Sequence, residues 1–291
     1  MAEVLRPQIA DDELLVRVYG IGVGIHDSYF LPQNALYPYV IGIEAAGVIE
    51  QTGGSVTGYQ PGDRIAFVSS MQPKGGTWAQ FAAVSAASLI IPIPSGMDFV
   101  TAAAIPVAGN TVLRALSALS AVPSGGSLFI AGGSGAIGTL GIQLARQRGW
   151  RVGASASAAN HDYMIRLGVE KAVDYHDPDW ARQLREWMPS GVDAAMAIQP
   201  GATTDALRVV KDGGQAISIS GDAPATERGI RIESIPYQAD VRGELMQLMS
   251  EVAAGHVHVE LEQVHRFEDA LAALAKVQTR HAKGKRVLRV A

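Results

Sequence analysis

The stretch IAGGSGAIG, residues 130–138, carries glycines at a spacing that can hold phosphate groups. Gly133, Gly135 and Gly138 match G-x-G-x-x-G, and Gly132 with the last two matches G-x-x-G-x-x-G. Glycine permits a tight turn and lets backbone N–H groups approach a pyrophosphate, whose charge a helix N-terminus also favours. An apolar run precedes the glycines and a helical pattern follows them, as a dinucleotide-binding loop requires. The alternative is a chance match in a glycine-rich chain.

The residues of this loop that we expect to contact a dinucleotide are Gly132, Gly133, Ser134, Gly135, Ala136, Ile137 and Gly138. The segment after the next predicted strand bears on which dinucleotide binds. An NAD site typically has Asp or Glu about 20 residues after the glycines, where it accepts from the ribose hydroxyls. Here Ser155, Ser157 and Asn160 are present, with no carboxylate before Asp162. A 2′-phosphate would meet no repulsion there, so the segment favours NADP, unless these are merely solvated turn residues.

The composition is ordinary for a soluble globular protein and allows a sizeable core. The chain has 291 residues, of which 48% are hydrophobic and 18% are charged. Its net charge of −4 argues against binding to nucleic acid or to an anionic membrane. It has no Cys, which excludes disulfides, a thiolate nucleophile and Cys-ligated zinc. We find no signal peptide and no apolar run of spanning length, so we expect a cytoplasmic protein.

Two kinds of pattern divide the chain. Residues 14–110 carry short β-branched runs between Gly- and Pro-rich turns, which predicts a mostly β domain. From about residue 125 strands and helices alternate, which is typical of a parallel sheet covered on both faces. Strands are predicted near residues 127–131, 151–155, 171–175, 193–198 and 215–219, and helices near 136–148, 160–167, 178–187 and 203–211. Two amphipathic helices, 244–254 and 268–278, and a closing strand RVLRV suggest that the C-terminus completes the first domain.

Five segments follow one another along nearly the whole chain: PYVIGIEAAGVIEQTGGSVTGYQPGDRIAF, GGTWAQFAAV, AAAIPVAGNTVLRAL, GGSGAIGTLGIQLA and AKGKRVLRV. Their order resembles the medium-chain dehydrogenase/reductase superfamily, closest to its zinc-independent quinone oxidoreductase (zeta-crystallin-like) branch. The resemblance implies an α/β chain with a mostly β GroES-like substrate domain, residues 1–107 and 240–291, and a Rossmann dinucleotide-binding domain, residues 108–239. It also implies a homodimer paired through edge strands, for which GIRIESIPY, residues 229–237, has suitable alternation.

Zinc-binding members of this superfamily carry a Cys in the segment that matches GVGIHDSY and a His in a G-H-E motif. Here Gly24 lies in the first segment, and Gly42, Ile43 and Glu44 replace the second. With two ligand types missing, the resemblance implies no zinc. Glu44 is then a structural residue or a remaining acid.

The resemblance also singles out residues near the nicotinamide. Quinone oxidoreductases have an Asn and a Tyr that face the nicotinamide. Tyr29 matches the Tyr and is a candidate to orient the substrate. Gly24 stands where the Asn would be. A core-packing tyrosine is the alternative.

The segment AIQPG, residues 197–201, departs from the D-S-V-G of the family. A first strand pair of the family has no counterpart before VLRPQIADDELLVRV.

Other cofactor contacts follow from the same resemblance. Ser157 and Tyr175 match a Ser and a Tyr of the 2′-phosphate pocket, and Asn160 stands where a basic residue is usual. His161 beside it could donate to the phosphate or be solvated. Thr111 matches a Thr near the nicotinamide, with an ordinary helix N-terminal Thr as the alternative.

Together these features predict a zinc-independent, NADPH-dependent reductase that transfers hydride to a quinone or an activated alkene. Such chemistry needs no nucleophile, since the protein only aligns two rings and excludes water. Two alternatives remain: a non-catalytic NADP-binding or interaction protein, and a zinc-free alcohol or aldehyde dehydrogenase. We expect a small-molecule substrate, and neither nucleic acid nor a membrane as a partner.

Overall fold

The computed structural model describes residues 2–35, 37–69, 72–226 and 228–290. The chain forms two compact units, one of Met1–Val107 with Arg242–Ala291 and the other of Ala108–Val241. The second unit ends at Val241, two residues beyond the boundary that the sequence suggested. In the part of the chain described, every helix is too short or too polar to cross a bilayer.

The described strands, in chain order, are β1 (Glu13–Val23), β2 (Glu44–Thr52), β3 (Arg64–Val68), β4 (Phe81–Ser85), β5 (Leu89–Pro92), β6 (Ser127–Ala131), β7 (Arg151–Ala156), β8 (Lys171–Asp174), β9 (Val192–Ala197), β10 (Val210–Ser218), β11 (Arg231–Ser234), β12 (Leu261–Arg266) and β13 (Lys285–Arg289). The α-helices are α1 (Phe99–Ala103), α2 (Pro106–Ala118), α3 (Ala136–Gln147), α4 (His161–Arg166), α5 (Trp180–Trp187), α6 (Ala202–Leu207), α7 (Arg242–Ala253) and α8 (Ala270–Gln278). Short 3-10 turns precede α4 and α8.

The first unit is built on a mostly antiparallel sheet. Among the described residues its strand order is β12-β13-β1-β2-β3-β5, and β4 also pairs with β1. The last strand, β13, lies antiparallel to β1 with Leu288 opposite Ile21. The C-terminal segment therefore completes the sheet that the N-terminal segment begins. Its core includes Leu14, Ile21, Phe67 and Leu288, all fully buried, with α8 packed on the same cluster.

The second unit contains a parallel sheet with the described order β11-β10-β9-β6-β7-β8. The central strand β6 is buried along its whole length, as expected for a parallel strand covered on both faces. Phe129 in β6 stacks on Trp180 of α5, with ring centroids 5.5 Å apart. The strand order reverses between β6 and β9, and the loops that follow two such strands form the crevice where ligands bind in open α/β sheets.

Local sequence explains where the helices begin and end. Asp98 precedes α1 and accepts from the backbone amides of Val100 and Thr101 at 2.9 and 3.0 Å. Pro106 opens α2 at the first helical position, where its missing N–H costs nothing. Gly149, at φ +76°, follows the end of α3 in the left-handed conformation. Two helices that are not among the predicted ones, α1 and α2, thus cover most of the motif AAAIPVAGNTVLRAL.

Candidate active site

The glycine loop connects β6 to α3, and two of its glycines are required by close packing. A Cβ added at Gly133 would lie 2.7 Å from Met164 Sδ, and one at Gly138 would lie 2.3 Å from the carbonyl oxygen of Gly132. Gly132 itself has φ +100°, a conformation that favours glycine. Both Gly132 and Gly133 donate their backbone amides to the carbonyl oxygen of Ser155, at 3.1 and 2.9 Å. The loop is therefore fixed against β7.

Gly135 differs from these glycines because space lies beside it. A Cβ there would meet only the Gly132 carbonyl oxygen, at 3.9 Å. Gly135 is the N-cap of α3, and it makes no side-chain capping hydrogen bond. The start of α3 therefore has no side-chain cap and has room beside Gly135, and this positive end of the helix dipole suits a phosphate group. The residues of the loop fit the pyrophosphate of a dinucleotide.

The segment AIQPG lies beside this loop. A Cβ on Gly132 would be 3.5 Å from Ile198 Cβ and 4.0 Å from Gln199 Cγ. These residues follow β9, so the loops after β6 and β9 meet at the point where the strand order reverses. The segment AIQPG, which departs from the family's D-S-V-G, therefore lies at the crevice where the strand order reverses. Ile198 places an apolar side chain there.

The turn after β7 brings two of the predicted cofactor residues together. Asn160 donates from Nδ2 to Ser157 Oγ at 3.1 Å. Tyr175, which follows β8, is 44% exposed, and its ring packs on that of His176 with centroids 4.0 Å apart. His161 opens α4, and its Nε2 is buried without a partner among the described residues. The structure thus gives His161 a partly enclosed ring rather than a fully solvated one.

Sequence reasoning missed a carboxylate at this turn. Asp174, the last residue of β8, accepts from the Ala158 amide at 3.2 Å and from the His176 amide at 3.0 Å. The His176 amide hydrogen bond is the largest cause that holds the pKa of this carboxyl below its usual value, so it is ionised at neutral pH. The turn at Ser157 therefore carries a negative charge, which counts against the preference for a 2′-phosphate that this segment suggested. An Asp directly before Tyr175, at a strand end, was the available signal.

Thr111 lies in the second turn of α2, at the sixth helical residue. The alternative of a helix N-terminal threonine is therefore wrong, because capping acts at the first turn. Asn110 beside it has a buried Oδ1 with no partner in the described part of the chain.

Tyr29 is 64% exposed, so the alternative of a core-packing tyrosine is wrong. Its ring lies edge-on to that of His26, and the His26 ring also stacks on Phe30 with centroids 4.9 Å apart. The tyrosine amide donates to the His26 carbonyl oxygen at 2.9 Å. Tyr29 thus belongs to a turn that presents aromatic side chains to the outside of the first unit.

Glu44 is buried, and each of its two carboxylate oxygens has a partner in the first unit. Its Oε1 pairs with Lys285 Nζ, and its Oε2 accepts from the Val107 amide at 2.8 Å. A Cβ on Gly22 would lie 2.7 Å from Glu44 Cγ, so that glycine makes the room for the glutamate. Of the two roles considered for Glu44, these contacts support the structural one.

Asp27 lies near this pair and is fully buried. Its Oδ2 accepts from the Gly24 amide at 2.8 Å and from Trp78 Nε1 at 3.2 Å. Burial is the largest influence on this carboxyl and raises its pKa to about 7, while Lys285 and Glu44 act on it with opposite signs. Sequence reasoning did not select Asp27.

A zinc ion does not fit these residues. Gly24 and Ile43, at the positions of the family's Cys and His, offer no donor atoms. Glu44 already holds a lysine and a backbone amide. Within the described ranges, no group of three His, Asp or Glu side chains stands in an arrangement that could hold a metal.

Comparison with known proteins decides the family. The model of the alcohol dehydrogenase GroES-like domain matches residues 10–95, and the model described as zinc-binding dehydrogenase matches residues 167–288. The chain belongs to the medium-chain dehydrogenase/reductase superfamily, in its quinone oxidoreductase branch. This superfamily uses a nicotinamide cofactor, NAD(H) or NADP(H), and the glycine loop fits one.

Relatives of this superfamily align along most of the chain. A quinone oxidoreductase from Sus scrofa is 24% identical over 87% of this chain and 80% of its own length. A chloroplastic NADPH-dependent alkenal/one oxidoreductase from Arabidopsis thaliana is 28% identical over 99% of this chain and 74% of its own. The structure of the quinone oxidoreductase from Coxiella burnetii superposes with a TM-score of 0.88 at 24% identity, covering 99% of this chain and 93% of that one, which supports the fold.

The buried Glu44–Lys285 pair gives the first prediction. Replacing Lys285 with Met leaves a buried carboxylate without its cation, so we expect Lys285→Met to lower the free energy of unfolding by about 3–5 kcal/mol, measured by urea denaturation. Adding Glu44→Gln should recover part of the loss. Arg182→Met, which removes a cation from exposed ion pairs, is the control and should cost far less, because solvent screens these charges. An equal loss in the two single variants would contradict a structural role for the pair.

Proposed function

We propose that the protein is a zinc-independent, NADPH-dependent oxidoreductase that reduces quinones or activated alkenes. The main support for dinucleotide binding is the N-terminus of α3 at Gly135. It has no side-chain cap, has room beside it, and lies where the strand order of the second unit reverses. The substrate class follows from relatives named quinone oxidoreductase, alkenal/one oxidoreductase and 2-methylene-furan-3-one reductase. The absence of zinc rests on Gly24 and Ile43, which cannot act as ligands.

Each part of the chain has a limited task in this reaction. A bound dihydronicotinamide supplies the hydride that an electron-poor quinone or enone accepts. The amides at the start of α3 hold the pyrophosphate and fix the position of the cofactor. Ser157 and Asn160 donate to the adenosine ribose or its 2′-phosphate, with Tyr175 beside them. Tyr29, which is exposed, orients the substrate oxygen through its hydroxyl.

The preference for NADPH is expected to be modest. The hydroxyl of Ser157 and the amide of Asn160 are suitable donors for a 2′-phosphate. The ionised Asp174 opposes that phosphate, although two amides and the His176 ring offset part of its charge. We therefore expect NADPH to bind more tightly than NADH by about tenfold rather than by several orders of magnitude, that is, by about 1.4 kcal/mol.

Turnover tests the proposed function. Purified protein should oxidise NADPH in the presence of a quinone or an enone, at a rate that a chelator does not change, measured by loss of absorbance at the dihydronicotinamide band. Alcohol oxidation with NADP⁺, assayed in parallel, should be slower. Binding of NADPH without turnover of any acceptor would indicate a binding protein, and faster alcohol oxidation would indicate a dehydrogenase.

Gly135 allows cofactor binding to be tested apart from folding. A side chain at Gly135 meets almost no protein atoms but enters the space beside the helix N-terminus. We expect Gly135→Val to weaken NADPH binding at least tenfold in a fluorescence titration while the melting temperature stays within about 3 °C. Gly243→Ala in α7, where a Cβ meets nothing within 4 Å, is the control and should bind normally. Unchanged affinity in Gly135→Val would contradict the assignment.

We also propose a homodimer. The strand β11 is the last strand at one edge of the second unit's described sheet, where its outer backbone groups are available for pairing. Two copies joined there extend both sheets into one. Light scattering at micromolar concentration should give about twice the mass of one chain, 30.6 kDa. A mass equal to that of a single chain would refute the dimer.

A further inference from the structure

One carboxylate joins the turn after β7 to the end of β8. Ala156, the last residue of β7, pairs with Asp174, the last residue of β8, in the parallel sheet. Oδ2 of Asp174 accepts from the Ala158 amide at 3.2 Å, and Oδ1 accepts from the His176 amide at 3.0 Å. In doubly wound sheets, residues just after the second strand, here β7, recognise the 2′ position of the adenosine ribose. Asp174 and His176 therefore lie beside the place that a 2′-phosphate would take.

The same carboxylate holds the imidazole ring of His176. Nδ1 of this ring lies 2.8 Å from Asp174 Oδ1, and the ring packs on that of Tyr175 with centroids 4.0 Å apart. The pKa of Asp174 lies below its usual value, chiefly because of the His176 amide, so the ionised carboxylate can only accept hydrogen bonds. Nδ1 of His176 therefore carries a hydrogen whether the ring is neutral or protonated.

The second ring nitrogen, Nε2, can act on an anion in two opposite ways. It has no hydrogen-bond partner among the described residues, and 62% of the His176 side chain is exposed. Since Nδ1 keeps its hydrogen, Nε2 of the neutral ring presents a lone pair, which repels phosphate oxygens. Nε2 of the protonated ring carries a hydrogen and donates to such oxygens. Histidine side chains ordinarily change between these forms from about pH 5 to 8.

The charge at the end of β8 depends on this ring. Asp174 forms its ion pair with His176, and no lysine or arginine of the described residues lies close enough to pair with it. Asp177, the next acid along the chain, is directed to the start of α5, where it accepts from the Asp179 amide at 2.9 Å and from Gln183 Nε2 at 2.7 Å. A protonated His176 thus neutralises the Asp174 carboxylate, whereas a neutral ring leaves a negative charge there.

The other side of the turn adds few charges. Ser157 and Asn160 are neutral and hydrogen-bond to each other. His161 and Asp162 lie in the first turn of α4, where Asp162 is exposed. His161 is therefore the second titratable ring that has to be distinguished from His176 near neutral pH.

We propose that His176 sets the preference between NADPH and NADH through its protonation. This inference rests on the proposed function, in which the protein binds these cofactors. The protonated ring donates from Nε2 to the 2′-phosphate of NADPH and cancels the charge of Asp174. The neutral ring does neither, so the carboxylate then opposes the phosphate. NADH has an uncharged hydroxyl at the 2′ position and is little affected, so the preference for NADPH increases as pH falls.

Fluorescence titrations of NADPH and NADH at about pH 6.5 and about pH 8.5 test this dependence. A phosphate monoester loses its second proton near pH 6, so the 2′-phosphate keeps most of its charge across this range. We expect the ratio of the NADH to the NADPH dissociation constant to be at least about fivefold higher at the lower pH. The change should come from NADPH, with NADH affinity nearly constant.

Three variants connect the effect to the ring. His176→Gln removes the charge, so NADPH preference should be low at both pH values while NADH affinity is unchanged. His176→Arg is positively charged at both pH values and should keep a high preference at each. His258→Gln is the matched control, because His258 also lies 2.8 Å from a carboxylate, Glu260, and is 53% exposed, but belongs to the first unit. It should behave as the wild-type protein.

The possible results separate the role of His176 from the function on which it rests. Turnover with NADPH and an unchanged cofactor ratio in His176→Gln would overturn the role and leave the reductase function standing. Equal losses of NADPH and NADH affinity in that variant would show a structural effect and would also overturn it. A pH dependence that His161→Gln abolishes and His176→Gln retains would assign the effect to the wrong histidine for this proposal. Failure of the wild-type protein to bind either cofactor would refute the proposed function itself.

Discussion

The buried ion pair between Glu44 and Lys285 is the interaction on which the first unit depends. It joins β2, from the N-terminal segment, to β13, from the C-terminal segment, and its second oxygen holds the amide of Val107 at the start of α2. A buried charge is tolerated only where its partner is present, so the two distant pieces of chain must meet before either can be stable there. Gly22 completes the arrangement, because any side chain at that position would displace the glutamate.

The same pair also acts on the protonation of the neighbouring Asp27 carboxyl. Glu44 and Lys285 act on the Asp27 carboxyl with opposite signs, so neither determines its protonation, and the effect of burial dominates. Had the lysine been present without the glutamate, it would favour an ionised Asp27. A structural ion pair thus leaves a neighbouring acid free to hold a proton near neutral pH, although neither member of the pair needs to contact a substrate.

The sequence was most informative where the determining contacts are local. The strand, glycine turn and helix around residues 127–147 form one continuous motif, and the structure has β6, the loop and α3 there. Asp174 was missed because it joins the turn at Ser157 only through the pairing of β7 with β8. Asp27 was missed for another reason: its spacing from Gly24 is visible in the sequence, but its second hydrogen-bond donor, Trp78, lies far along the chain.

Gly24 shows how one missing side chain can change the environment of the residues beside it. Judged by the resemblance alone, a glycine in place of the family's asparagine removes a polar contact from the nicotinamide side of the site. In the structure a Cβ at Gly24 would lie 3.4 Å from Asp27 Oδ1, a buried oxygen without a hydrogen-bond partner among the described residues. The first carbon of an asparagine side chain at that position would lie in ordinary contact with this oxygen. Loss of the amide therefore leaves a buried acid beside the glycine without a donor from that position, and a departure from a family motif also changes the environment of neighbouring residues.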